Sequence, residues 1–273
     1  MKPQYLLPLL ILAIPYFAAA NEPDVHVFKH IDGPPLEIHG FYPESKEEKS
    51  PAMIWFYGSA FERRDNLHKR YPHCRTLADR GMASFSADIR GIQQADDPLA
   101  ELLLCLQDAI SAYQWVYENA DELNIDRNRI GIGGNSSGAT LALMVCSFSE
   151  YLAPEDYPEI PIRPSVQVLL NPIVSDRLMK KPVAPILHIK PGVAPSVIFH
   201  GTLDPLEPIS NIRKYGEAME SAGNECKIYE YKGKAHGFHN YRKGDNPMYS
   251  KVLEDMLAYL EKHGHIEAID ESP

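Results

Sequence analysis

The chain has 273 residues, 44% hydrophobic and 23% charged, which is enough to bury the core of one large domain or two small ones. Its formal net charge of −10 argues against nucleic acid or an anionic membrane as a partner.

Met1 to Ala20 reads as a secretory signal. Lys2 supplies the positive start, Tyr5 to Phe17 is mostly apolar with Pro8 and Pro15 inside it, and Ala18-Ala19-Ala20 offers a small-residue cleavage site before Asn21. The apolar run is too short and too proline-broken for a membrane span. No later segment reads as one. The expectation is residues 1–20 removed and residues 21–273 exported, without stable membrane insertion, as a single domain. Four cysteines, Cys74, Cys105, Cys146 and Cys226, permit zero, one or two disulfides in that setting, and the three full pairings cannot be ranked. Each sits in or beside an apolar segment, so small buried hydrophobes are an equally good reading. Their wide spacing lacks the close pairs of a zinc site, and neither a metal nor an organic cofactor is implied.

Val25 to Phe28 and Leu36 to Tyr42 alternate apolar and polar around Asp32-Gly33-Pro34, a hairpin signal. Lys46 to Ser50 reads as a polar loop. Ala52 to Tyr57 is a continuous apolar run, as expected of a strand buried on both faces. It ends in Gly58-Ser59-Ala60-Phe61, small residues whose amides could approach a reacting carbonyl, although taken alone a plain turn is the better reading. A helical pattern from Asp65 to Arg80 stops at Gly81, Met82 to Ala87 is the next buried strand, and Pro98 opens a long helix with apolar residues at three- and four-residue steps. Asn124 to Asn128 turns the chain into the strand Arg129 to Ile132. Strands and helices alternate, which predicts an α/β architecture: a mainly parallel sheet covered on both faces.

That strand feeds Gly134-Asn135-Ser136-Ser137-Gly138, a G-x-S-x-G sequence followed by an apolar helix. A nucleophilic serine must project from a tight turn, and flanking glycines allow the turn and the close approach of strand and helix. Beyond it, residues 148–164 and 171–195 are proline-rich and read as short caps near the mouth of a site. Ser165 to Leu170 lies between them as a buried strand. Ser196 to His200 is another strand, ending in Gly201-Thr202-Leu203-Asp204-Pro205. A helix from Ile209 to Ala222 and the strand Lys227 to Tyr231 lead to Gly233-Lys234-Ala235-His236-Gly237-Phe238.

Serine, acid and histidine thus each follow the C-terminal end of a strand, where open α/β sheets assemble their sites. An unassisted hydroxyl is a poor nucleophile at neutral pH. His236 would take its proton, and Asp204 would orient and stabilise the imidazole. His200, His239, His263 and His265 compete for the role of base; the position after a strand and the following glycine favour His236.

The order Ser136, Asp204, His236 resembles the α/β-hydrolase superfamily, and specifically the secreted carboxylesterases and acetyl esterases related to the hormone-sensitive-lipase branch. The likeness rests on Ala83 to Arg90 with Asp88 and Arg90, Gly133 to Gly138, Asn171-Pro172, His200 to Asp204 and His236-Gly237-Phe238, and runs from about Ala52 to a last helix bearing Val252, Leu253, Met256, Leu257 and Leu260. It implies an α/β-hydrolase fold of about eight strands and a serine hydrolase that cleaves short-chain, acetyl-type esters, possibly on carbohydrates, through an acyl-enzyme. It also implies an oxyanion hole from the amides of Ser59, Ala60 and Ser137. The chain departs from the branch there, with Tyr57-Gly58-Ser59-Ala60 where a His or Phe and three glycines are usual. Trp55, Phe61 and the proline-rich insertions are candidate pocket walls, core packing being the better reading for the two aromatics. Two alternatives stand: a prolyl-oligopeptidase-type serine peptidase, which lacks a propeller and an acidic pair here, and a non-catalytic relative that keeps the fold as a binding surface.

Overall fold

A computed structural model describes residues 22–44, 47–61, 66–92, 97–149, 151–177, 181–241 and 246–268. The leader at residues 1–20, Lys46 and Asp65 lie outside the described residues. Eight strands form one sheet: β1 (Asp24–Lys29), β2 (Leu36–Phe41), β3 (Ser50–Phe56), β4 (Ala83–Ala87), β5 (Ile125–Asn135), β6 (Gln167–Leu170), β7 (Ser196–Gly201) and β8 (Cys226–Tyr231), in the order β1-β2-β4-β3-β5-β6-β7-β8. The β1–β2 hairpin is antiparallel and pairs antiparallel to β4; every pairing from β4 through β3 to β8 is parallel.

The period of two along the inner strands decides what each face buries. Ile54, Phe56, Leu169 and Ile198 point to one side, where they meet helices α2 (Pro98–Glu118), α3 (Ser137–Ser147) and α4 (Ile209–Ser221). Met53, Trp55, Val168, Leu170, Val197 and Phe199 point to the other, where they meet α1 (Tyr71–Ala78) and α5 (Pro247–Lys262). Trp55 is buried on this second face and Phe61 on the first. Among the described residues no helix is long and apolar enough to cross a membrane, and all four cysteines are free thiols.

Two of the boundaries that differ from the sequence expectation do so for a clear local reason. The helix expected to run from Asp65 to Arg80 is a 3-10 turn at Leu67–Arg70 followed by α1. Pro72 sits in the first turn of α1, where its missing N–H and fixed φ suit a helix start and not an interior. The turn expected at Asn124 to Asn128 is confined to Asn124, at φ 56°, and β5 begins at Ile125 opposite Ser50. A register shift between Ser50 and Ala52 carries that longer pairing. The proline-rich segments hold no α-helix or strand among the described residues, only 3-10 turns at Lys181–Val183 and Pro185–Leu187.

Candidate active site

Ser136 stands between β5 and α3 with φ 52° and ψ −125°, a conformation that costs an L-residue about 1–3 kcal/mol and persists only where its surroundings impose it. The neighbours that impose it are visible. Its N–H donates to Leu170 O at the end of β6 (2.8 Å), and its carbonyl accepts from the Thr140 amide (3.0 Å). Gly134 and Gly138 face each other across the turn. A Cβ on Gly138 would overlap the Phe56 carbonyl, and one on Gly134 would overlap the Gly138 backbone. The two motif glycines are therefore demanded by close backbone approach.

Asp204 follows β7 and His236 follows β8. These two loops are laced together: Leu203 N donates to Lys234 O (2.9 Å), Thr202 N to Tyr231 O (3.0 Å) and Gly233 N to Thr202 Oγ1 (2.9 Å). The lacing brings the side chains into series, with His236 Nε2 2.8 Å from Ser136 Oγ and His236 Nδ1 2.7 Å from Asp204 Oδ2. An ionised carboxylate only accepts, so Nδ1 carries the proton and Nε2 is left to accept from the serine hydroxyl. Burial pushes the Asp204 carboxyl up, but its bond to His236, the charge of that ring and the Leu206 amide outweigh burial and hold it below the usual carboxylate range. It stays ionised at neutral pH.

The competing histidines are placed elsewhere. His200 is fully enclosed with Nε2 on Glu207 O (2.8 Å), and burial lowers its pKa. Burial pushes His239 down to about 3 and His265 to about 4, so both are neutral and shut away from solvent. His263 lies over the Tyr259 ring, near Glu225.

The expected oxyanion donors are only partly disposed for that role. Ser59 N is engaged: it donates to Ser137 Oγ (3.1 Å), as does Phe61 N (3.3 Å). The Ser137 amide opens α3, where no intrahelical acceptor exists for it. Ala60, between the two residues whose amides meet the Ser137 hydroxyl, has φ 54°, outside the usual range for a residue with a Cβ. Gly58 N donates to Asn135 Oδ1 (3.0 Å), so this loop is pinned to the serine turn by side-chain oxygens at both Asn135 and Ser137. Tyr57, in place of the usual His or Phe, donates its hydroxyl to Asp88 Oδ1 (3.1 Å). Arg90 forks onto the buried carboxylate of Asp108 at 2.9 and 2.6 Å. Of the two motif residues, Asp88 thus anchors the start of the loop through Tyr57, and Arg90 ties the chain after β4 to α2.

Sequence reasoning names Asn135, Ser137 and Asn171 inside motifs without assigning their side chains work. An asparagine ending a buried strand before a proline was the available signal for Asn171. Among the described residues no group of three His, Cys, Asp or Glu could hold a metal ion.

The BD-FAE family model matches residues 38–154. Thermogutta terrifontis esterase 2, solved after phosphoramylation by tabun, is 32% identical and superposes with a TM-score of 0.83, covering 90% of this chain and 97% of that one. The same enzyme has been solved with propionate and with butyrate bound. Esterase LipI of Mycobacterium tuberculosis is 25% identical over 77% of this chain and 74% of its own length. The acetylxylan esterase of Xylanibacter ruminicola is 25% identical over 72% of this chain, which spans 42% of that longer protein. With strand order, serine turn and these relatives in agreement, the chain belongs to the α/β-hydrolase superfamily, among the carboxylic ester hydrolases related to the hormone-sensitive-lipase branch.

Proposed function

We propose that the chain is a serine esterase acting on short-chain esters, acetyl esters first, through an acyl-enzyme on Ser136. The observation that carries this is the unbroken hydrogen-bond series from Ser136 Oγ through His236 to Asp204. Ser136 Oγ attacks the ester carbonyl as its proton passes to His236 Nε2, and Asp204 stabilises the imidazolium that results. The carbonyl oxygen, now negative, is met by the amides of Ser137 and Ala60. The tetrahedral adduct then collapses: the bond to the alkoxy oxygen breaks, and His236 returns the proton so that an alcohol leaves. Water adds to the acyl-serine by the same route and releases the carboxylic acid, restoring Ser136.

The short-acyl assignment draws support from the propionate- and butyrate-bound forms of the Thermogutta enzyme, and a carbohydrate ester from the name of the Xylanibacter relative. The engaged Ser59 amide favours a second reading, a serine turn kept without turnover. Hydrolysis of p-nitrophenyl acetate, butyrate and octanoate by the purified chain separates the two. The expected outcome is turnover falling with acyl length, and loss of roughly 10⁴-fold or more in Ser136→Ala. A wild-type chain that neither turns over acetate esters nor takes up a fluorophosphonate would end the esterase reading.

A further inference from the structure

The chain leaving β6 reaches the serine, the acid and the loop that carries the histidine. Leu170 O accepts the Ser136 amide at 2.8 Å. The next residue, Asn171, is fully buried and uses both ends of its side chain. Its Nδ2 donates to Asp204 Oδ2 at 2.8 Å, the same oxygen that accepts His236 Nδ1. Its Oδ1 accepts from Gly237 N at 3.3 Å, one residue beyond His236. Asn171 holds φ 49°, and its own N–H is tied to Phe199 O on β7 (3.0 Å). Asparagine is among the few side-chain-bearing residues that tolerate this left-handed conformation, which here turns its amide toward the two loops.

We propose that Asn171 is a positioning residue for the esterase reaction: its carboxamide spans the acid loop and the histidine loop, and sets how much of the Asp204 charge faces His236. The inference rests on the esterase reading above. Asp204 Oδ1 is already occupied by the Leu206 and Glu207 amides (2.9 and 3.3 Å), so Nδ2 of Asn171 completes the shell of Oδ2 and fixes the plane of the carboxylate. The other titratable groups around the pair are His200, 3.5 Å from Asp204 Oδ2, and His239, both held neutral by burial, together with Glu207, whose carboxylate is turned to Val174 and Ser175. The Nε2 proton of His200 is spent on Glu207 O at 2.8 Å, so among the described residues the hydrogen bonds to Oδ2 come from Asn171 Nδ2 and His236 Nδ1.

Two variants test this with p-nitrophenyl acetate. Asn171→Gly keeps the backbone conformation and removes both bonds. Asn171→Asp keeps the size and the acceptor for Gly237 N–H, and exchanges the donor for a second carboxylate oxygen facing Asp204 Oδ2. With that donor gone, more negative charge faces the imidazole, which holds its proton more tightly. The acid limb of kcat/KM should then move to higher pH, by about one unit in Asn171→Gly and further in Asn171→Asp. At neutral pH kcat should fall roughly 10²-fold with KM little changed, as expected of misplaced catalytic groups. The downfield proton resonance of His236 Nδ1–H should shift in both. If the glycine variant does not fold, the aspartate variant carries the test, since loss of packing alone would lower yield without moving the limb. Folded variants with the wild-type limb and kcat would overturn the positioning role while leaving the esterase reading intact; an inactive wild type would remove both.

Discussion

The two sides of Ser136 are built from different materials. On the acid side the work is done by side chains: Asp204 accepts four hydrogen bonds, His236 uses both ring nitrogens and Asn171 both ends of its amide. On the oxyanion side backbone amides are held by two side-chain oxygens, Asn135 Oδ1 and Ser137 Oγ, while Ala60 and Phe61 carry φ of 54° and 64° and Ser59 Oγ is buried without a partner among the described residues. A residue with a Cβ held in that region costs about 1–2 kcal/mol. The acid side is therefore satisfied, whereas the oxyanion side stores strain that the Ser137 hydroxyl restrains through two amides.

The sharpest way to break the contrast is Asp204→Asn on the satisfied side. An amide there donates to His236 Nδ1 and leaves the proton on Nε2, which then cannot accept from Ser136. A fall in kcat of roughly 10⁴ is expected, with the fold intact by circular dichroism. A loss below tenfold would mean that the carboxylate does not set the tautomer. On the strained side, Ser137→Ala takes the acceptor away from the Ser59 and Phe61 amides. Leaving buried donors unmet costs about 1–3 kcal/mol, so kcat should drop roughly tenfold and the melting temperature should fall. Unchanged kinetics would show that something other than this hydroxyl holds the loop. The smallest effect comes from Ala60→Gly, which relieves φ 54°. A rise in melting temperature of about 2 °C is expected, small because glycine also gains freedom in the unfolded chain. A decrease would mean that the loop conformation is not strained at that residue.

The alternation of strands and helices is legible in the sequence because burial on both faces forces continuous apolar runs, and amphipathic helices repeat at 3.6 residues. The serine turn is legible for the same local reason: Gly134 and Gly138 are the only residue type that the close backbone approach admits. Local signals mislead where two of them compete, as at Pro72, whose surroundings read as helix interior although the proline itself marks a start.

Choosing among histidines is a different kind of problem. Position after a strand and the following glycine favour His236 over His200 and His239 in the sequence, but its role lies in which ring nitrogen meets a serine a hundred residues away. The engaged amide of Ser59 and the bridge made by Asn171 likewise join residues 78 and 33 positions apart. Residue order and sterics alone determined the sheet, the tight serine turn and the Ser-Asp-His succession, because these follow from short-range packing and periodicity. Only the tertiary structure decided which donor meets which acceptor, because a hydrogen bond depends on position to within a few tenths of an ångström and chain spacing carries no such information.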